Sequence, residues 1–193
     1  MDDRLSHIED QLLVMAAQEG NSAAMDELVR RWQKRLWHYV FRMTSDAHGA
    51  WDITQECWLV IIRRIGKLHD PASFKPWAYR IATNKAIDWL KRRNRYQHIH
   101  LDAFQAACDP HHEAAPVREM VKGLKEASRV VLSLYYFEQL SVGEISEVLQ
   151  IPPGTVKSRL FQARAELKRS WERLDHDIPP RQENGPKTDR SDP

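Results

Sequence analysis

Apolar residues return every three or four positions through most of this chain, the period of an amphipathic α-helix. The pattern predicts a short helix over residues 8–18, with Leu12, Leu13 and Met15 as its apolar residues. Gly20 ends it, and Asn21-Ser22 opens a second helix in which Met25, Leu28, Val29, Trp32, Leu36, Tyr39 and Val40 recur. A loop over 44–49 precedes a third helix over about 50–67, with Ile53, Trp58, Ile61, Ile62 and Ile65 on its apolar side. A fourth helix is predicted over about 76–93, burying Trp77, Ile81, Ala82, Ile87 and Leu90. The period is lost over 96–116. Two helices then share 117–137, where Val130, Val131, Leu134 and Tyr135 supply core, and two more fill 140–168. Glycine is scarce, at seven residues, and helix formers abound, so the chain reads as all-α.

The last stretch, LSVGEISEVLQIPPGTVKSRLFQARAELK, is the most informative. Ser141 is a good N-cap, with Glu144 three residues on to close a capping box. Val142, Ile145, Val148 and Leu149 form one apolar face of the helix that follows. Gln150-Ile151-Pro152 breaks that helix, because the residue before a proline is pushed out of the α region. Pro153 suits the first turn of the next helix, where its missing N–H costs nothing. There Val156, Leu160, Ala163 and Leu167 share one face, and Lys157, Ser158, Phe161, Gln162, Arg164 and Lys168 share the other. A short helix, a tight turn and a basic second helix describe a DNA-binding helix-turn-helix. A plain helical hairpin with a solvated basic face would leave Phe161, set among positive charges, without a reason.

Charge sharpens this picture. The formal net charge of +2 hides a segregation along the chain. Residues 1–95 hold 16 Lys/Arg against 12 Asp/Glu, 96–116 hold none against three, 117–174 hold ten against seven, and 175–193 hold three against five. Two basic bodies are therefore expected around an acidic connector, and two basic patches point to nucleic acid contacted at two places. No run approaches the ~18 apolar residues of a membrane span, and the polar, acidic N-terminus is unlike a signal peptide. Cys57 and Cys108 do not make a disulfide framework, so a cytoplasmic protein is expected.

In the first body, Asp52, Gln55 and Glu56 fall on one face of the third helix at i, i+3 and i+4. Taken alone, they also suit a helix N-terminus, where the dipole favours carboxylates. The fourth helix follows the loop over 68–76 and presents Lys75, Arg80, Asn84, Lys85 and Asp88 before ending in Lys91-Arg92-Arg93-Asn94-Arg95. Aromatics beside Asn and Arg suit single-stranded bases, which stack on rings and pair with amides. The connector carries His98, His100, Cys108, His111 and His112, but their spacing matches no standard zinc pattern, and no metal or cofactor is expected.

These residues carry a resemblance over nearly the whole chain. DITQECW, FKPWAYRIATNKAIDWLKRR and SVGEISEVLQIPPGTVKSRLFQARAEL resemble the extracytoplasmic-function (group IV) sigma factors of bacterial RNA polymerase. The resemblance implies two small helical domains joined by a flexible linker. It gives a region 2 domain over 1–96, an acidic linker over 97–116, a region 4 helix-turn-helix domain over 117–174 and a disordered tail over 175–193. The first domain would recognise and melt the −10 element, and the second would read the −35 element. Asp52, Gln55 and Glu56 match the positions that dock such factors on the clamp helices of the polymerase largest subunit; the flap region is the other expected contact on the core enzyme. Leu68, His69 and Phe74 lie in the matching base-capturing loop, and Trp77, Arg80 and Asn84 on the adjoining melting helix. Thr155, Lys157, Ser158, Arg159, Phe161, Gln162 and Arg164 make the −35 set. Leu68 stands where related factors often have an aromatic, Gln162 where an Arg is common, and Gln150 where a small turn residue is usual. Gln162 favours adenine over guanine.

Such a protein does no chemistry itself; it binds the core enzyme and promoter DNA. An anti-sigma partner is implied, since an always-active factor would compete continuously for core. Folding back of the acidic tail on the basic helix face is the alternative means of control. Two other functions fit fewer residues. A helix-turn-helix regulator acting without core polymerase leaves the Asp52 face unexplained, and a metal enzyme built on the connector histidines lacks a nearby catalytic carboxylate.

Overall fold

The computed structural model describes residues 2–97, 121 and 123–177. Helix α1 (Asp2–Gln18) packs on α2 (Ser22–Thr44), which packs on α3 (Ala47–Arg64), and α4 (Phe74–Gln97) closes the first bundle against α2 and α3. Each end has an identifiable stop or start. Gly20 at φ 91° turns the chain after α1, a left-handed conformation that glycine adopts at low cost. The Asn21 side chain then accepts from the Ala24 amide at 3.1 Å. Ser45 caps α2 in the left-handed region, and Asp46 caps α3 by accepting from the Gly49 amide at 2.8 Å. Asp46 also takes an ion pair from Arg93 at 3.0 Å, tying the start of α3 to the end of α4. Gly49 is required at that meeting, because a Cβ there would lie 2.6 Å from the Trp89 ring.

The bundle core is aromatic. Trp32 meets Phe74 edge-on at 5.2 Å and Tyr79 at 6.0 Å, and the buried Tyr39 hydroxyl bonds to that of Thr83 at 2.6 Å. Several sequence expectations move by a residue or two on the helix wheel. In α1, Val14 and Ala17 are buried, whereas Leu12 and Met15 face outward. In α3, Ile62 is exposed while Ile53, Cys57, Trp58 and Ile61 are buried. In α4 the fully buried side is Ala78, Tyr79, Ala82, Thr83 and Ala86, with Trp77, Ile81, Ile87 and Leu90 half-buried. Small residues let α4 approach its neighbours closely, and a hydropathy pattern that weights large side chains misplaces such a face.

The second unit begins with α5 (Glu126–Leu132), whose chain continues into a π-helical turn over Ser133–Phe137. Then come α6 (Val142–Leu149) and α7 (Pro153–Asp177). The expected capping box is present: Ser141 Oγ accepts from the Glu144 amide at 3.2 Å, and the Ser141 amide donates to Glu144 Oε2 at 2.8 Å. Gln150 ends α6 at φ 53°, so a non-glycine residue occupies the left-handed turn position. The Ile151 amide donates to the Ser146 carbonyl at 3.2 Å, and Ser146 Oγ donates to the Ile151 carbonyl at 2.6 Å, which closes the turn. Helix α7 extends to Asp177, two residues past the expected start of the tail. The rest of that tail, and the connector with its histidines and Cys108, lie outside the described residues.

The two units touch. Helix α6 packs on α4, and Val130, Val131, Leu134, Leu140, Ile145 and Val148 continue the apolar core begun by the first bundle. At this seam the buried Glu138 carboxylate pairs with Arg42 of α2 and accepts from the Tyr79 hydroxyl of α4. The Arg42 guanidinium also sits 4.6 Å from the centre of the Phe137 ring. Burial pushes the Glu138 carboxyl above its ordinary pKa, with Arg42 opposing the shift.

Candidate nucleic-acid interface

The strongest surface is on α7. Its inner face, Val156, Leu160 and Ala163, is fully packed, which fixes the rotation of the helix. That rotation sends Lys157, Ser158, Phe161, Gln162, Arg164 and Lys168 outward, while Thr155 and Arg159 are half-buried at its edge. Phe161 is 73% exposed, with no packing role among the described residues. A ring among Lys157, Arg164 and Lys168 suits a duplex groove, where cations meet phosphates and an apolar group meets a thymine methyl. Ser158 Oγ donates to the Thr155 carbonyl at 3.0 Å, which leaves its lone pairs for a donor on a base.

The second surface is on α4 and the loop before it. Trp77, Arg80 and Asn84 lie at i, i+3 and i+7, with Arg80 and Asn84 exposed and Trp77 half-buried against the core. Two hydrogen bonds from Gln18 hold the loop: its amide nitrogen donates to the Ile65 carbonyl at 3.0 Å and the Leu68 carbonyl at 2.6 Å. Asp70 then caps the turn at Pro71–Ser73, accepting from the Ala72 amide at 3.0 Å and from Ser73 Oγ at 3.1 Å. His69 is exposed and Leu68 half-buried. Phe74 departs from expectation. At 2% exposure, edge-on to Trp32, it is a core residue that supports the loop from beneath and has no face left for a base.

The third surface is on α3. Asp52 and Gln55 are exposed, and Glu56 bonds Lys85 of α4 at 2.7 Å. Sequence reasoning missed the neighbours that make this face sticky. Trp51, Leu59 and Ile62 are 43%, 54% and 50% exposed and extend the same side at i, i+8 and i+11. Continuing the period from Gln55 would have found Leu59 and Ile62. Beside this face, Cys57 is fully buried, and burial pushes its thiol up to about 12. Among the described residues no cluster of metal-ligating side chains occurs, and no helix is long and apolar enough to cross a membrane.

Comparison with known proteins places the stretches that carry these surfaces in one family. Residues 28–96 match Sigma-70 region 2, and residues 114–167 match Sigma-70, region 4. The RNA polymerase sigma-H factor of Pseudomonas aeruginosa is 31% identical over 188 residues, covering 88% of this chain and 97% of its own length. The chain belongs to the extracytoplasmic-function sigma factors of the sigma-70 family. Within this family, the ECF RNA polymerase sigma factor SigM of Bacillus subtilis is 29% identical, covering 77% of this chain and 96% of that protein. Among solved structures, CnrH in complex with the cytosolic domain of CnrY aligns with a TM-score of 0.66 at 25% identity. That alignment covers 88% of this chain and 99% of CnrH. The region 2 match holds the α3 and α4 surfaces, and the region 4 match holds the α7 surface.

Proposed function

We propose that this sigma factor carries core RNA polymerase to promoters in the cytoplasm and supplies no catalysis of its own. Its first domain, residues 1–96, docks on core through Asp52, Gln55 and Glu56, joined by Leu59 and Ile62. Leu68, His69, Trp77, Arg80 and Asn84 of the same domain engage the −10 element once a strand is freed. The second domain, residues 117–174, reads the −35 element with α7 through Thr155, Lys157, Ser158, Arg159, Phe161, Gln162 and Arg164. Residues 97–116 link the two. Fully extended, about 20 residues reach roughly 66 Å. Two elements about 17 base pairs apart lie roughly 58 Å from each other at ~3.4 Å per pair, so one chain spans both.

The observation that carries this reading is the order of two family matches on one chain, each with its own outward face of polar, basic and apolar residues. A regulator acting without core polymerase would have no use for exposed Leu59 and Ile62 beside Asp52 and Gln55. A protein that covers these faces is the natural regulator; CnrH is seen with the cytosolic domain of CnrY, and for this chain an anti-sigma partner is proposed. Transcription reconstituted from purified core polymerase and this chain is the test. Start-site-specific transcripts that require both are expected, whereas DNA binding with no stimulation of core would reject the reading.

A further inference from the structure

Arg164 is not a freely moving cation. Its Nε donates to the Tyr136 hydroxyl at 2.8 Å, and its guanidinium carbon lies 5.7 Å from the ring centres of both Tyr135 and Tyr136. The two rings meet edge-on at 5.0 Å and form a stand for the guanidinium. Tyr136 is itself 50% exposed and belongs to the π-helical turn at Ser133–Phe137, outside the helix-turn-helix proper. The wider π turn inserts a residue into the helical register, and such insertions recur at functional sites. On α7, Arg164 shares a stripe with Lys157, Phe161 and Lys168 at i, i+4, i+7 and i+11, all of them exposed.

We propose that Tyr136 is a positioning residue of the −35 interface, holding the Arg164 guanidinium by Nε so that its two terminal amino groups face a DNA phosphate. This rests on the proposed −35 role of α7. A guanidinium carries five donors in a planar fork. Fixing one edge on a hydroxyl, with the Tyr135 and Tyr136 rings alongside, restricts its rotamer freedom before DNA arrives. The ordering cost is then largely met in the free protein, which is how preorganisation raises affinity. Tyr136 thereby acts on DNA through Arg164.

The test uses holoenzyme formed from the full chain and core polymerase, with a duplex that the holoenzyme selects from a randomised −35 library. Tyr136→Phe keeps the ring and removes only the hydroxyl. It is expected to weaken binding about three- to tenfold, the range for one hydrogen bond, with the melting temperature unchanged. In an Arg164→Ala background the same change is expected to have less than about a twofold effect, because coupled residues are not additive. Arg164→Ala should also lower the slope of log affinity against log salt by about 0.9, as loss of one phosphate contact does. Equal weakening in both backgrounds would make Tyr136 a direct contact and overturn the positioning role. If Tyr136→Phe binds like the parent while Lys157→Ala weakens binding, the inference fails and the −35 reading stands. If Lys157→Ala is also silent, the −35 reading fails and takes the inference with it.

Discussion

Among single residues on α7, charge and base recognition separate by chemistry. Lys157 presents a point charge suited to phosphate, whereas Gln162 presents an amide that can pair with both N6 and N7 on the major-groove edge of adenine. Lys157→Ala should therefore weaken all −35 sequences about equally and reduce the salt slope by about 0.9. Gln162→Arg should shift preference at one base position, toward guanine, with a discrimination of about 1–3 kcal/mol. An unchanged consensus from a randomised −35 library would remove Gln162 from base reading. Phe74 makes the opposite case, since its position in the loop suggests a base contact and its burial assigns it to the core. Phe74→Ala should cost about 3–5 kcal/mol of stability, while Phe74→Leu should keep promoter opening near normal. Equal thermal stability of Phe74→Ala and the parent would argue that the ring is exposed in solution. The sequence could not separate these roles, because an aromatic in a loop next to a helix has the same local pattern whether it points in or out.

At the scale of elements, the helix-turn-helix was legible almost to the residue. Ser141, Glu144, Pro152 and Pro153 each act through backbone chemistry that depends on a few neighbours, and the capping box and turn formed where they predict. Gln150 takes the left-handed turn without a glycine, at a cost that local sequence signals correctly. Faces of helices were harder to read. The period gives the rotation of α3 only to within a residue, so Ile62 was assigned to the core although it lies outside. The same error hid an exposed apolar strip on α3. Leu59 and Ile62 are half exposed beside Asp52 and Gln55, so Leu59→Asp should leave the unfolding free energy within about 0.5 kcal/mol of the parent's. It should nevertheless weaken binding to core polymerase about tenfold or more, because a charge placed in an apolar contact loses its hydration. Gln55→Ala combined with Glu56→Lys should also weaken it, with a small local cost because Glu56 now bonds Lys85. Unchanged affinity of both variants in a fluorescence titration with core would remove α3 from the docking surface.

For the whole molecule, charge segregation and loss of period correctly separated two helical units, but nothing local announced that they pack together. That contact depends on residues far apart in sequence: Glu138 meets Arg42 and Tyr79 across separations of 96 and 59 residues. The Arg42 and Glu138 side chains are 15% and 7% exposed, and truncating Glu138 removes its hydrogen bonds with Arg42 and Tyr79 along with the packing of its carboxyl between the units. Glu138→Ala should thus loosen the contact and increase the radius of gyration of the free chain in small-angle scattering. The pH dependence follows from burial. The folded-state pKa of Glu138 is raised above its unfolded value, so its contribution to the contact is fully present below the unfolded carboxylate range. That contribution is lost as pH rises through the folded value, so the free chain should become less compact as pH rises above the ordinary carboxylate range. Glu138→Gln keeps the shape and removes the titration, so it should flatten this dependence. A radius of gyration that neither Glu138→Ala nor pH alters would show that the seam does not hold the units together in solution.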